Sequence, residues 1–149
     1  MWVILLAALE AFQQTSVRIT WLSLIGLAVW LTGVCLEATA DMQKYHFSSN
    51  LANKGRWIHA GVWSWSRHPN YFGEILTWVG VYLFVVQSLP LSSALVAILS
   101  PLYIAGLLLF VSGIPILEKG ADKRWGAEPE YQDYKHRTSI LIPLPPRRR

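Results

Sequence analysis

The chain has 149 residues, enough for one domain, and 53% of them are hydrophobic against 15% charged. That balance argues against an ordinary soluble domain, and eight Trp with six Tyr suit a protein that meets two membrane–water interfaces. The formal charge is +4, but no basic-aromatic patch, zinc-finger spacing or other recognition module accompanies it. Nucleic acid is therefore set aside as a partner in favour of the lipid bilayer.

In chain order, the opening MWVILLAALEAF has no basic n-region and no small-residue cleavage site, so it is a poor signal peptide. It is also shorter than the roughly 20 residues a span needs. It is expected to be an interfacial helix or the remains of a helix truncated at its front. Residues 20–40 form the first full-length span, with Trp21 near its start and Glu37 near its end. Cys35, the only cysteine, allows no intrachain disulfide and reads as a small buried hydrophobe. Residues 73–88 form the second span, residues 89–93 an uncharged turn, and residues 94–117 the third span. Pro101, Gly106, Gly113 and Pro115 predict kinks there, which membrane helices tolerate. Gly106 and Gly113, seven apart, read as a face that lets another helix approach. The tail, residues 118–149, predicts a short helix over 128–137 with Tyr131 and Tyr134 on one face, ended by Pro143, Pro145 and Pro146. The fold class is thus all-α, a multi-pass transmembrane bundle with a C-terminal tail.

Basic residues orient it. Lys44, Lys54, Arg56 and Arg67 lie between the first two spans, and the tail holds eight Lys and Arg, whereas the 89–93 turn holds none. The rule that Lys and Arg accumulate on the cytoplasmic side puts the middle segment and the tail there. The expected location is a bacterial inner membrane, or the endoplasmic reticulum of a eukaryote.

The stretch WSWSRHPNYFGEIL, residues 63–76, gathers the polar groups. Pro69 disfavours helix at His68 and is welcome in a first turn, so a helix is predicted to start at Pro69. Its N-terminal N–H groups, with Arg67 and His68 just before them, suit an anion. Asn70 and Glu74, four apart, share a face one turn further on. A carboxylate at that depth costs several kcal/mol unless paired or wetted and by default marks a site. Bland readings stand beside these. Arg67 can snorkel to headgroups, His68 can be a solvated loop residue, and Glu74 can pair with Arg67 or Lys44. Glu37 and Asp41 can simply cap the interface. Convergence of these groups on one side of the membrane favours a site. There is no GxGxxG, no GxxxxGK[ST], no nucleophile elbow, and no metal-ligand spacing among His46, His59, His68 and His136.

The order AD-x-QK-x-x-F, NKG, G-x-W-x-x-SRHPNYFGE, SG-x-P-x-LEK and EY-x-x-Y-x-x-RT-x-x-LIP, from Ala40 to Pro143, resembles the steroid 5-alpha-reductase C-terminal family. It resembles most its uncharacterised DUF1295-like branch, and it is related to the isoprenylcysteine carboxyl methyltransferases. The resemblance implies a membrane oxidoreductase that reduces an activated C=C bond of a hydrophobic lipid- or steroid-like substrate with NADPH. It implies that Asn70 and Glu74 contact the nicotinamide end and that Asp41, Arg67, His68 and Tyr71 lie by the cofactor. Tyr131, Tyr134, Arg137 and Thr138 would close over its phosphates and ribose, with Tyr134 as proton donor and Glu74 as its catalytic companion. The methyltransferase relatives imply the alternative, S-adenosylmethionine-dependent methylation of a lipid-like substrate. Steroid reductases carry a longer N-terminal part that contributes to the substrate pocket.

Overall fold

The computed structural model describes residues 2–14 and 18–147. Met1 of the opening segment and Arg148 and Arg149 of the tail lie outside the described residues. Among the described residues the chain is helical, with one isolated parallel bridge, Ser66 to Ser139, and no strand. A 3-10 turn, Trp2–Leu5, leads into α1 (Leu6–Phe12). There follow α2 (Trp21–Ser49), α3 (Pro69–Val85, continued as a 3-10 turn to Ser88), α4 (Leu91–Ala97), α5 (Leu99–Gly106), α6 (Ile114–Trp125) and α7 (Pro129–Arg137). Among the described residues three stretches are long and apolar enough to cross a membrane: Trp21–Ser49, Pro69–Ser88 and Leu91–Trp125.

The helices outrun the apolar stretches read from the sequence. α2 starts at a capping box, in which the Thr20 hydroxyl accepts from the Ser23 N–H and the Ser23 hydroxyl accepts from the Thr20 N–H. It then runs nine residues past Ala40. At 1.5 Å per residue such a helix measures about 43 Å, well beyond a hydrocarbon layer of about 30 Å. Its last turns therefore stand clear of the apolar layer and carry Gln43 and Lys44 to the site. α3 begins at Pro69, and His68 before it lies outside the helical region at φ −138° and ψ 58°, in keeping with the proline that follows.

α2 and α3 lie against each other along two pairs of glycines. A Cβ built on Gly33 would stand 2.6 Å from the Gly73 carbonyl oxygen, and one on Gly73 would stand 2.7 Å from the Glu37 nitrogen. Gly26 and Gly80 meet the backbone of Gly80 and Phe84 and of Trp30 in the same way. The seven-residue spacing thus recurs on both helices, and the missing side chains let two backbones touch. Gly106 and Gly113 do not serve this purpose. Nothing lies within 4 Å of a Cβ on Gly106, and one on Gly113 would strike the Leu108 carbonyl of its own turn. The reason is that the third span is not one straight helix. Pro101 has no N–H for the Ala97 carbonyl, and the chain breaks at Ile98. Residues Leu107–Val111 widen into a π turn, in which the Ser112 N–H reaches the Leu107 carbonyl at 2.9 Å. α6 then starts afresh beyond Gly113, with Pro115 in its first turn.

At the end opposite the site, α1 packs with its Ala7 against Val85 and Ala97. The Ser100 hydroxyl donates to the Ile4 carbonyl there. Cys35 is exposed rather than buried, because it lies off the glycine-lined seam. Trp30, Leu31, Leu99 and Phe110 are exposed as well, as lipid-facing side chains should be.

Candidate functional site

One end of the bundle collects the C-terminal turns of α2, the N-terminus of α3, the C-terminal half of α6, and α7. The loop before α3 is fixed from several sides. The Trp63 indole N–H donates to the Ala40 carbonyl at 3.0 Å, and the Val62 N–H donates to Gln43 Oε1 at 3.0 Å. The buried Ser66 hydroxyl donates to the Leu141 carbonyl at 2.7 Å and accepts from the His68 N–H. The Arg67 N–H donates to the Ser139 carbonyl at 2.8 Å, and the Leu144 N–H to the Trp65 carbonyl at 3.1 Å. Residues 138–147 thus form a strap across the loop, which is why an extended proline-rich tail has a defined path.

Glu118 is the charge centre. Its Oε2 lies 2.5 Å from Arg67 Nη1 and 3.7 Å from Lys135 Nζ, and its Oε1 lies 2.8 Å from His68 Nε2. Lys135 continues to Asp122 at 2.6 Å. One carboxylate on α6 therefore joins the loop before α3 to α7. Arg67 does not pair with Glu74, and Lys44 lies 5.4 Å from the centre of the Trp63 ring rather than on a carboxylate. The structural-pair reading of Glu74 is replaced by an Arg67–Glu118 pair. The sequence reading did not single out Glu118; its signal was the LEK that closes the third apolar run.

Behind the charges stands an aromatic wall. Trp57 packs on Tyr131 at 5.2 Å and on Trp125 at 6.0 Å, and His68 stacks on Tyr71 at 5.6 Å. The Tyr134 hydroxyl donates to the Trp63 carbonyl at 2.9 Å. Burial pushes the Tyr131 phenol up to about 12, with the Glu118 charge adding to it. Burial raises Tyr134 further still, beyond the Arg67 charge that opposes it.

A cavity of about 680 Å³ opens between α2, α3 and α6, within the size range of cofactor sites. Arg67, His68, Asn70, Tyr131 and Tyr134 line it together, with Lys44, Lys54, Arg56, Arg124 and the rings of Trp57 and Trp125. A second cavity of about 440 Å³ lies across Trp57 and Tyr134 and takes in Arg137 and Thr138. Arg137 is engaged there by Asp133. Asp41, Tyr71 and Glu74 line neither cavity. Asp41 accepts from the Asn70 amide at 3.1 Å, and Glu74 sits near enough to Asp41 and Glu37 for their charges to interact. Among the described residues no three His, Cys, Asp or Glu side chains converge to hold a metal ion. Among the described residues two buried donors have no acceptor, Arg67 Nε and Trp57 Nε1, and both residues line the larger cavity.

Three apolar spans, with a polar, aromatic-walled cavity at one end, define an integral membrane protein. A family profile for proteins of unknown function, DUF1295, matches residues 1–138, and the chain belongs to that family. This is the steroid 5-alpha-reductase-like family that the motifs resemble. Among curated proteins, the chain is 34% identical over 79 residues to a protein-S-isoprenylcysteine O-methyltransferase of Xenopus laevis, covering 50% of this chain and 27% of that protein. It is 32% identical over 78 residues to an uncharacterized protein of Schizosaccharomyces pombe, covering 40% of this chain and 23% of that one. The chain thus spans about a quarter of the length of these relatives. No solved structure matches.

Proposed function

We propose that the chain is the cofactor-binding part of a membrane reductase that uses NADPH to reduce an activated C=C bond of a lipid- or steroid-like substrate. The supporting observation is the charge of the larger cavity. Lys44, Lys54, Arg56, Arg67 and Arg124 line it against one carboxylate, Glu118, which Arg67, His68 and Lys135 already share. With the acceptor-less Arg67 Nε and Trp57 Nε1, this lining fits a polyanion rich in acceptor oxygens, and the rings beside it fit flat heterocycles. When bound, NADPH supplies the hydride.

The chain's own residues do the rest in this reading. Arg67, His68 and the first N–H groups of α3 hold an anionic group. Asn70 is oriented by Asp41, which leaves its amide oxygen free for a ligand amide; Glu74, one turn deeper, is the proposed acceptor for the nicotinamide carboxamide. Tyr71 backs His68, and Tyr131, Arg137 and Thr138 close the tail side. Tyr134, kept protonated by burial, is the proposed proton donor once its bond to the Trp63 carbonyl breaks. The cavity end faces the cytoplasm, where basic residues accumulate.

The Xenopus relative favours a second reading, S-adenosylmethionine-dependent methylation. That cofactor carries a sulfonium cation and no phosphate, which matches the basic lining less well. Thermal shift of the detergent-purified protein separates the two. Stabilisation by NADPH and not by S-adenosylmethionine is expected; the reverse would establish the methyltransferase reading, and no response to either would leave a non-catalytic membrane protein.

A further inference from the structure

We infer that the strap, residues 138–147, is a lipid anchor: its outward aliphatic side chains enter the membrane interface, and the arginine run after Pro146 binds anionic phospholipid headgroups. The strap lies at the depth this needs. The span Pro69–Ser88 starts two residues after Arg67, and Glu118 is the first charge in the stretch Leu91–Trp125. Arg67 and Glu118 pair with each other, so together they mark the edge of the apolar layer. The strap is bonded to that edge. The Arg67 N–H donates to the Ser139 carbonyl at 2.8 Å, and the Ser66 hydroxyl donates to the Leu141 carbonyl at 2.7 Å. The strap therefore runs at the level of the headgroups, and its exposed side chains meet lipid there.

Exposure alternates along the strap. Ile140 is 45% exposed, Ile142 54% and Leu144 54%, whereas Ser139, Leu141 and Pro143 between them are half-buried. α7, just before it, exposes Glu130, His136 and Arg137 instead. One part of the tail thus turns polar groups outward, and the next turns out a ridge of branched aliphatics. An exposed apolar ridge of this kind marks a contact surface. Trp65, whose carbonyl takes the Leu144 N–H, is itself half exposed, and its amphipathic ring suits the headgroup layer. In sequence the ridge leads through Pro145 and Pro146 to Arg147, Arg148 and Arg149. Arg147 is exposed and, among the described residues, pairs with no carboxylate. Aliphatic groups followed by a basic run match an anionic bilayer surface, where apolar burial and charge attraction add. A soluble acidic partner would engage the arginines and leave the aliphatics in water.

The test places a polarity-sensitive fluorophore on the ridge of the full chain, through Ile142→Cys in a Cys35→Ser background. The labelled protein is reconstituted in nanodiscs of phosphatidylcholine alone or mixed with phosphatidylglycerol, with and without a doxyl-labelled quencher lipid. Emission should be blue-shifted and quenched by the doxyl lipid in the anionic discs, and less so in phosphatidylcholine. Arg147→Gln/Arg148→Gln/Arg149→Gln should erase the difference between the two lipids. Each Arg near an anionic surface shifts such an equilibrium about fivefold, so the three together shift it on the order of a hundredfold. These variants alter exposed side chains and keep the backbone bond from the Arg147 N–H to the Arg137 carbonyl. Water-like emission in both lipids would overturn the anchor. Quenching that is equal in both lipids and indifferent to the arginines would overturn the anionic headgroup as its partner. A blue shift without quenching by lipid would put a second copy of the chain on the ridge and overturn the proposal as well.

Discussion

Arg67 and Glu118, fifty-one residues apart, meet at 2.5 Å with both side chains largely withdrawn from solvent. His68 shares the same carboxylate, so the motif before α3 is held by a residue at the far end of a different span. Removing one partner of such a cluster strands the others. Glu118→Ala is expected to lower stability by about 3 kcal/mol, with Glu118→Gln intermediate because it keeps an acceptor. Thermal melting in one detergent measures this, and wild-type melting of both variants would mean the cluster is solvated and weak.

The α2–α3 seam gives a contrast between glycines. Gly73→Ala drives a Cβ against the backbone of Glu37 and Gly33, where nothing flexible can yield. Gly120→Ala meets open space and gains helix propensity of up to about 1 kcal/mol. The first should melt well below wild type and the second at or slightly above it. Equal melting of the two would show that the helices do not touch along the glycines.

The two raised phenols make an alkaline limb. Tyr131 and Tyr134 ionise less readily folded than unfolded, where the ordinary value is 10.0. The folded state therefore holds its protons more tightly. This stabilising contribution is full below about pH 10 and is lost as pH rises toward the folded value. Tyr131→Phe and Tyr134→Phe should each flatten the fall in melting temperature above pH 10. An unchanged slope in both would place the phenols in water.

Glu74 separates cofactor contact from structure. Under the reductase reading, NADPH affinity should fall in the order wild type, Glu74→Gln, Glu74→Ala, with melting temperature maintained. Among the described residues no salt bridge involves Glu74, so none is stranded by its removal. A lower melting point with affinity intact per folded molecule would return Glu74 to a structural role.

Orientation is checked by reporters. One fused after Arg149 should read cytoplasmic and one inserted at Ser92 external, from the distribution of Lys and Arg. The opposite pattern would move the cavity to the other side of the membrane.

Hydropathy and proline chemistry alone determined the helical class, the three apolar spans, the start of α3 at Pro69 and the kinked third span, because these depend on residues a few positions apart. The RHPN motif and the tail tyrosines were legible as candidate residues for the same reason. Only the tertiary structure decided which carboxylate Arg67 takes, which glycines let helices touch, and that Asn70 and Tyr131 share a cavity that excludes Glu74. Gly26, Gly33, Gly106 and Gly113 show identical spacing in sequence, yet only the first pair faces another backbone. Spacing along one helix sets a face, but what lies opposite that face depends on how the spans pack, and no local pattern encodes it.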